Sequence, residues 1–325
     1  MTIQEARTLG FRMLTGKEPL PEPVSFFVSA TPFLDTDCFL EYILRKTKTF
    51  LMAHHETVLT ESEALQFRAC LEKRLTGLPV AYITGHKEFY GLDFLVTPAV
   101  LIPKPDTEIL VEKAVAAAKK IIQSRSDRIP CRIADICTGS GCIAVSVLHE
   151  LCSETENGRR NPVMMTVADI SGAALNLAKK NARRLLPENI SKTIEFKQGD
   201  LLSAVDAGST EKKRFDLILS NPPYIPAHEV TKLLEDGRNE PRIALDGDTD
   251  MGACSRKPRS SDGLAVIRRL VPQAYDHLEP DGLFFMETAE YNAQQAACIT
   301  KDAGFTGVHI EQDLSGQLRV TTGKK

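Results

Sequence analysis

The chain has 325 residues, long for one compact core, so a large domain accompanied by a smaller one is expected. Hydrophobic residues make up 42% and charged residues 26%, with a formal net charge of −3. That is the balance of a soluble globular protein, without the basic excess of one that grips nucleic-acid phosphates. Charges break every apolar run well before the roughly 20 residues a bilayer requires. The N-terminal stretch carries Glu5 and lacks the apolar run of a signal peptide. A cytoplasmic monomer is expected, with no membrane attachment and no direct contact with nucleic acid.

The eight cysteines are scattered, with no C-x-x-C pair and no histidine at ligand spacing. Cys131, Cys137 and Cys142 are close in sequence, but a strand, a turn and a helix start would point them apart. Neither a metal site nor a disulfide framework is expected.

Residues 1 to 85 read as helices. Residues 36–51 carry Phe39, Leu40, Ile43 and Leu44 at helical spacing, and residues 61–75 carry Ala64, Leu65, Phe67, Leu71 and Leu75. Thr60 and Glu63 form a capping-box pattern before the second of these. Residues 88–96 predict a hairpin around Gly91, and residues 107–123 a helix with Asp106 as N-cap. Strands are then predicted at 132–136, 164–169, 193–197, 215–220 and 282–287. They alternate with helices at 142–151, 173–184, 264–277 and 292–303, a pattern that implies a parallel, doubly wound sheet. Segments 307–312 and 318–322, separated by Asp313 to Gly316, predict an antiparallel pair at its end. Lys212, Lys213 and Arg214 read as a solvated loop.

Chemistry concentrates at the carboxyl ends of the strands, where doubly wound sheets bind ligands. The turn Cys137-Thr138-Gly139-Ser140-Gly141 follows the first strand, with Asp135 inside the strand end. It is neither G-x-G-x-x-G nor a phosphate-cradling P-loop. Asp169 ends the second strand, placed for ribose hydroxyls, and Gly199-Asp200 follows the third, where an adenine edge would lie. Three acids behind three successive strands fit a sulfonium bearing adenosine better than a dinucleotide.

The fourth strand runs straight into Asn221-Pro222-Pro223-Tyr224. Consecutive prolines fix φ and force their predecessors into extended geometry, so the turn is stiff. The Asn221 side chain and the Pro222 carbonyl offer two acceptors, matching the two N–H donors of a primary amide, and Tyr224 is placed to stack on the planar group. Such a clamp orients a nitrogen towards a methyl carbon without a strong base.

With these residues in view, the chain resembles the PrmC/HemK family, protein-(glutamine-N5) methyltransferases acting on peptide chain release factors. The resemblance rests on Asn221 to Tyr224 and on Gly77-Leu-Pro-Val-Ala-Tyr-Ile-Thr-Gly85, Lys87-Glu-Phe-Tyr-Gly91, Leu101-Ile-Pro-Lys-Pro-Asp-Thr-Glu108, Ala168-Asp-Ile-Ser171 and Glu240-Pro-Arg-Ile-Ala-Leu-Asp-Gly247. It implies an α/β fold: a Rossmann-like class I S-adenosylmethionine-dependent methyltransferase sheet (106–325), a small N-terminal helical substrate-recognition domain (1–85) and a linking β-hairpin (86–105). It implies that Cys137, Thr138, Gly139, Ser140, Gly141, Asp169, Asp200, Leu201 and Asn221 hold S-adenosyl-L-methionine. It also implies that Asn221, Pro222, Pro223 and Tyr224 bind the glutamine of a release factor's Gly-Gly-Gln motif, with Asn221, Pro222 and Tyr224 serving the transfer.

Four departures stand out. Cys137 replaces the usual glycine, and Lys104 the usual arginine, which costs the bidentate fork. Met286-Glu-Thr-Ala replaces the usual Glu-Ile-Gly strand ending. Residues 248–261 form an extra stretch, expected to be a mobile surface loop. Two alternatives stay open: a ribosomal-protein glutamine methyltransferase, and a DNA adenine amino-methyltransferase, against which the absence of a basic face argues.

Overall fold

A computed structural model describes residues 1–17, 27–125, 129–152, 163–207, 212–235, 239–249 and 261–325. The chain divides into two compact units, Met1–His86 with Lys232–Asn239, and Lys87–Thr231 with Glu240–Lys325.

In the first unit, α1 (Ile3–Leu14) starts at Thr2, whose hydroxyl accepts from Glu5 N while the Glu5 carboxylate takes Thr2 N, a reciprocal cap. The helix expected over 36–51 is two helices, α2 (Pro32–Leu44) and α3 (Lys48–Ala53). Arg45 turns into the left-handed region at φ 54, ending α2, and the Thr47 hydroxyl caps α3 by accepting from Phe50 N at 3.3 Å. Local stop and start signals here outweigh a continuous apolar pattern. α4 (Glu61–Leu75) carries the capping box read from Thr60 and Glu63, and α5 (Val80–Thr84) follows. Ile3, Leu14, Phe39, Leu40, Phe67 and Leu71 close a core of their own. Beside it, buried Asp35 accepts from Ser29 Oγ at 2.7 Å, Thr31 Oγ1 at 3.0 Å and Arg74 Nε at 2.8 Å, which compensates its loss of water.

Strands β1 (His86–Phe89) and β2 (Leu92–Leu95) form the predicted hairpin, with Gly91 at φ 73. Phe89 and Phe94 join the core that lies beneath α6 (Glu108–Ser124). Asp106 does not cap α6. It lies inside a 3-10 turn, Pro105–Thr107, that runs directly into the helix, and it pairs with Arg319 at 2.9 Å.

The alternation then continues through β3 (Cys131–Ile136), α7 (Cys142–Cys152), β4 (Val163–Asp169), α8 (Gly172–Leu185), α9 (Glu188–Ser191), β5 (Glu195–Gln198), β6 (Phe215–Ser220), α10 (Ala227–Glu235), α11 (Ala265–His277), β7 (Leu278–Glu287), α12 (Glu290–Asp302), β8 (Thr306–Gln312) and β9 (Leu318–Lys324). The sheet order is β5-β4-β3-β6-β7-β9-β8; the first five strands are parallel, and β9 pairs antiparallel with both neighbours. This is the expected Rossmann-like doubly wound sheet with its antiparallel end. Side chains alternate faces: Leu217 and Leu219 of β6 enter one core, and Ile218 enters the other with Ala134 and Phe284. Burial on both faces is why these strands read as unbroken apolar runs. The basic cluster is the loop expected before β6, with Lys212 and Arg214 exposed, and its side chains also find partners on neighbouring segments. Lys212 pairs with Asp276 at 3.0 Å, Lys213 with Glu195, and Arg214 donates to the carbonyls of Asp276 and Leu278.

Candidate active site

Sheet register brings the chemistry together. Ile136 lies opposite Ala168 on one side and Ser220 on the other, and Ser220 lies opposite Met286. The next residues, Cys137, Asp169, Asn221 and Glu287, therefore leave the sheet along one edge. Ser220 Oγ donates to Ile136 O at 2.7 Å and Thr138 N to Ala168 O at 3.1 Å, closing the strand ends.

Asp135 is fully buried at the base of the turn. Its Oδ2 accepts from Thr138 Oγ1 at 2.6 Å and Ala144 N at 3.3 Å, while Oδ1 has no partner. Burial pushes its pKa up to about 7. This acid braces the turn from behind. Asp169 accepts from Gly139 N at 2.9 Å and Ser171 N at 2.8 Å, and burial raises its pKa too. Each of its oxygens keeps a second lone pair for a ligand hydroxyl. Asn181, absent from the sequence reading, donates to Ser140 O at 2.9 Å and exchanges two hydrogen bonds with Leu95, tying the turn to β2.

One cavity takes its wall from Cys137, Thr138, Gly139, Ser140, Asp169, Asp200, Leu201, Asn221 and Pro223 among others. Gly141 stands outside this wall. A Cβ there would lie 3.1 Å from Ala178 Cβ at φ +80, so glycine at this position permits the close passage of α7 over α8. Asp200 pairs with Arg269, which also lines the cavity, so the two carboxylates meet it differently: Asp169 held by backbone N–H groups, Asp200 by a guanidinium.

Two non-glycine residues of the wall adopt left-handed backbone, Cys137 at φ 63 and Leu201 at φ 50. The glycine usual at position 137 thus answers a conformational demand that Cys137 meets under strain. Burial, then Asp169 and Asp135, raise the Cys137 pKa and keep its thiol protonated. Cys137→Gly is expected to retain cofactor affinity. Cys137→Val, β-branched at positive φ, is expected to lose about 1 kcal/mol or more of stability and to bind cofactor more weakly. Denaturant melts and calorimetric titration check this; equal behaviour of the two variants would contradict it.

At the clamp, Asn221 Nδ2 donates to Thr107 Oγ1 at 3.3 Å. Pro223 lines the cavity, whereas Pro222 is buried and Tyr224 stands outside the wall. Rather than lying where a planar group could stack, Tyr224 donates its hydroxyl to Glu287 Oε1 at 3.2 Å, and its ring packs beside the core that holds Phe284. Its carbonyl accepts from Asn292 Nδ2 at 3.0 Å. Behind it, Ile225 exchanges backbone hydrogen bonds of 2.9 Å with Leu245 O and Gly247 N.

The segment from Glu240 also reaches the cavity, through Ile243, Ala244 and Thr249. Glu240 is buried; it accepts from Lys104 Nζ at 2.8 Å and Ile102 N at 3.2 Å. A point charge suffices for this pair, which explains how lysine serves in place of arginine. Asp248, expected on a mobile surface loop, is buried and accepts from Ala227 N at 3.0 Å and Gly263 N at 2.8 Å. The remainder of that expected loop, 250–260, falls outside the described residues. Thr107, Arg269 and Ile243 also line the cavity and were not singled out from the sequence, because strand-end motifs say nothing of what packs over them.

Two family models match the chain: the PrmC N-terminal domain over residues 25–85 and the methyltransferase small domain over residues 111–238. The chain is 35% identical over 297 residues to the release factor glutamine methyltransferase of Koribacter versatilis, spanning 91% of this chain and 92% of the relative. It is 34% identical to that of Burkholderia pseudomallei, over 94% and 98%. With that of Salmonella typhimurium it shares 32%, over 91% and 93%. With identity sustained along nearly the whole of both chains, the protein belongs to the release factor glutamine methyltransferase family.

Proposed function

We propose that this chain transfers a methyl group from S-adenosyl-L-methionine to the side-chain amide nitrogen of the glutamine in the Gly-Gly-Gln motif of peptide chain release factors. One observation carries the reading: Asn221 and Pro223 line the same cavity as residues 137–140, Asp169 and Asp200. The wall suits the cofactor chemically. Leu201, Val266, Ile143 and Ile170 offer apolar surface for a base, and Asp169 has lone pairs for ribose hydroxyls. Cys137, Thr138, Gly139, Ser140, Asp169, Asp200 and Leu201 would hold it, with Gly141 setting the turn.

When bound, the cofactor supplies an electrophilic methyl carbon on a sulfonium. The chain's part is positional. Asn221 Oδ1 accepts one N–H of the glutamine amide, and the rigid prolines hold that acceptor in place through the transfer. The Pro222 carbonyl is the second acceptor proposed for the clamp, and Tyr224 supports it from behind. No strong base is needed, since an amide nitrogen that has gained a methyl group is acidic and releases its proton to water.

The test is transfer of labelled methyl from S-adenosyl-L-methionine to a purified release factor. Label is expected on the intact factor and not on one carrying Gly-Gly-Asn. Label on a ribosomal protein or on DNA instead would overturn the assignment. The helical unit of residues 1–86 is assigned to recognition of the protein substrate, as a matching PrmC N-terminal model supports.

A further inference from the structure

The segment Leu101 to Glu108 carries much of the family resemblance, yet it contains no strand end and no part of the clamp. Its structure is that of a brace. Leu101, Pro103, Lys104 and Thr107 line the cavity. Pro103 and Pro105 fix φ within the segment. Buried Glu240 accepts from Ile102 N and Lys104 Nζ, the Asp106 carboxylate pairs with Arg319 at 2.9 Å, and Glu108 Oε1 accepts from Tyr90 N at 3.0 Å. None of these partners belongs to the tetrapeptide. Thr107 differs. Its N–H donates to Lys104 O at 3.1 Å, within the 3-10 turn, and its hydroxyl oxygen accepts from Asn221 Nδ2 at 3.3 Å. Thr107 is 2% exposed, which withholds its hydroxyl from bulk water.

Building on the function proposed above, we propose that Thr107 is a positioning residue that fixes the rotation of the Asn221 amide, so that Oδ1 meets the substrate glutamine in one direction. A stiff backbone does not make a stiff amide. Pro222 confines the backbone of Asn221 to extended geometry, but the terminal torsion of an asparagine side chain is broad and roughly two-fold. The prolines do not reach that torsion; the bond to Thr107 does. With Nδ2 held there, Oδ1 leaves the same carbon in a set direction and is kept as the acceptor for a substrate N–H. Turned over, the amide would present its own NH₂ to a substrate that also offers N–H groups, and two donors facing each other cannot bond. The anchoring of the brace is part of the device. A partner on a loose segment would move with the amide, whereas Thr107 sits between Asp106 and Glu108, each tied to a different element.

The test uses the full chain with Thr107→Val, which keeps the shape and loses the hydroxyl, and Thr107→Ser, which keeps the hydroxyl. Thr107→Val is expected to lower kcat about tenfold, with cofactor affinity within threefold of the parent, the scale of one lost hydrogen-bond partner. Thr107→Ser should recover most of that loss. In a chain already carrying Asn221→Ala, adding Thr107→Val should cost less than about twofold more, because the amide it held is gone. A role in packing alone would instead multiply with Asn221→Ala.

A turnover-free readout separates this proposal from the functional one. The side-chain NH₂ resonances of Asn221, assigned by their disappearance in Asn221→Ala, should move in Thr107→Val and return towards the parent positions in Thr107→Ser. If Thr107→Val fails to fold, Thr107→Ala carries the same expectations. Resonances indifferent to loss of the hydroxyl would overturn the proposal whatever the acceptor is, as would losses that multiply in the double variant. An unlabelled release factor with responsive resonances would overturn only the assigned substrate and leave Thr107 as the partner of the amide.

Discussion

Asn221→Ala is expected to reduce methyl transfer roughly 100- to 1,000-fold while leaving cofactor binding near the parent value, the size of loss seen when one preorganised polar partner is removed from a reacting centre. Asn221 lines the cavity beside Pro223, and its Nδ2 is engaged by Thr107, which leaves Oδ1 as the group for the acceptor. The wall proposed for the cofactor is built mostly from other residues, 137–140, Asp169, Asp200 and Leu201, and the substitution leaves their supports intact. The loss should therefore fall on kcat and on KM for the protein substrate rather than on cofactor affinity. Single-turnover transfer together with calorimetric titration of the cofactor measures both. Parent-like turnover would remove the clamp from the mechanism.

The second large effect is expected at a residue that does not line the cavity. Gly247→Ala should lower unfolding free energy by about 2 kcal/mol or more and cut transfer at least tenfold, as overpacking in a rigid region does. A Cβ at Gly247 would lie 2.0 Å from Gly263 O and 2.7 Å from Tyr224 Cα, both backbone atoms that no side-chain rotation can clear. Gly263 repeats the crowding from the other side, its Cβ position 2.3 Å from Tyr224 O. Relief requires the strand exit carrying Tyr224 to move, and with it the tetrapeptide. Denaturant unfolding and transfer assays on the same preparation check this. A variant with parent stability and turnover would mean that the chain at 224–226 has room it does not show.

These expectations separate what is local from what is not. The strands from 131 to 287 and the helices α7, α8, α11 and α12 were legible, though α9 and α10 were not. Burial on both sheet faces writes continuous apolar runs, and amphipathic helices write a 3.6-residue period between them. The residues at the strand ends were legible for a related reason. In a doubly wound sheet the carboxyl edge is the binding edge, so Cys137, Asp169, Asp200 and Asn221 follow from where the strands stop. The break between α2 and α3 was not legible, since Arg45 at positive φ leaves no mark in the apolar spacing.

By itself, then, the sequence determined the α/β sheet, the glycine-bearing turn after β3, the stiff Asn221-to-Pro223 exit and, through segments such as Leu101 to Glu108, the family. Only the tertiary structure decided that Tyr224 turns to Glu287 and not to the cavity, that Gly141 packs on Ala178, and that Asp248 is a buried brace. It also showed that Thr107, 114 residues from Asn221 along the chain, is the partner of its amide. The reason is physical. A strand end declares its own position through local pattern, but the direction of a side chain is set by the hydrogen-bond partners and packing that distant segments bring to it.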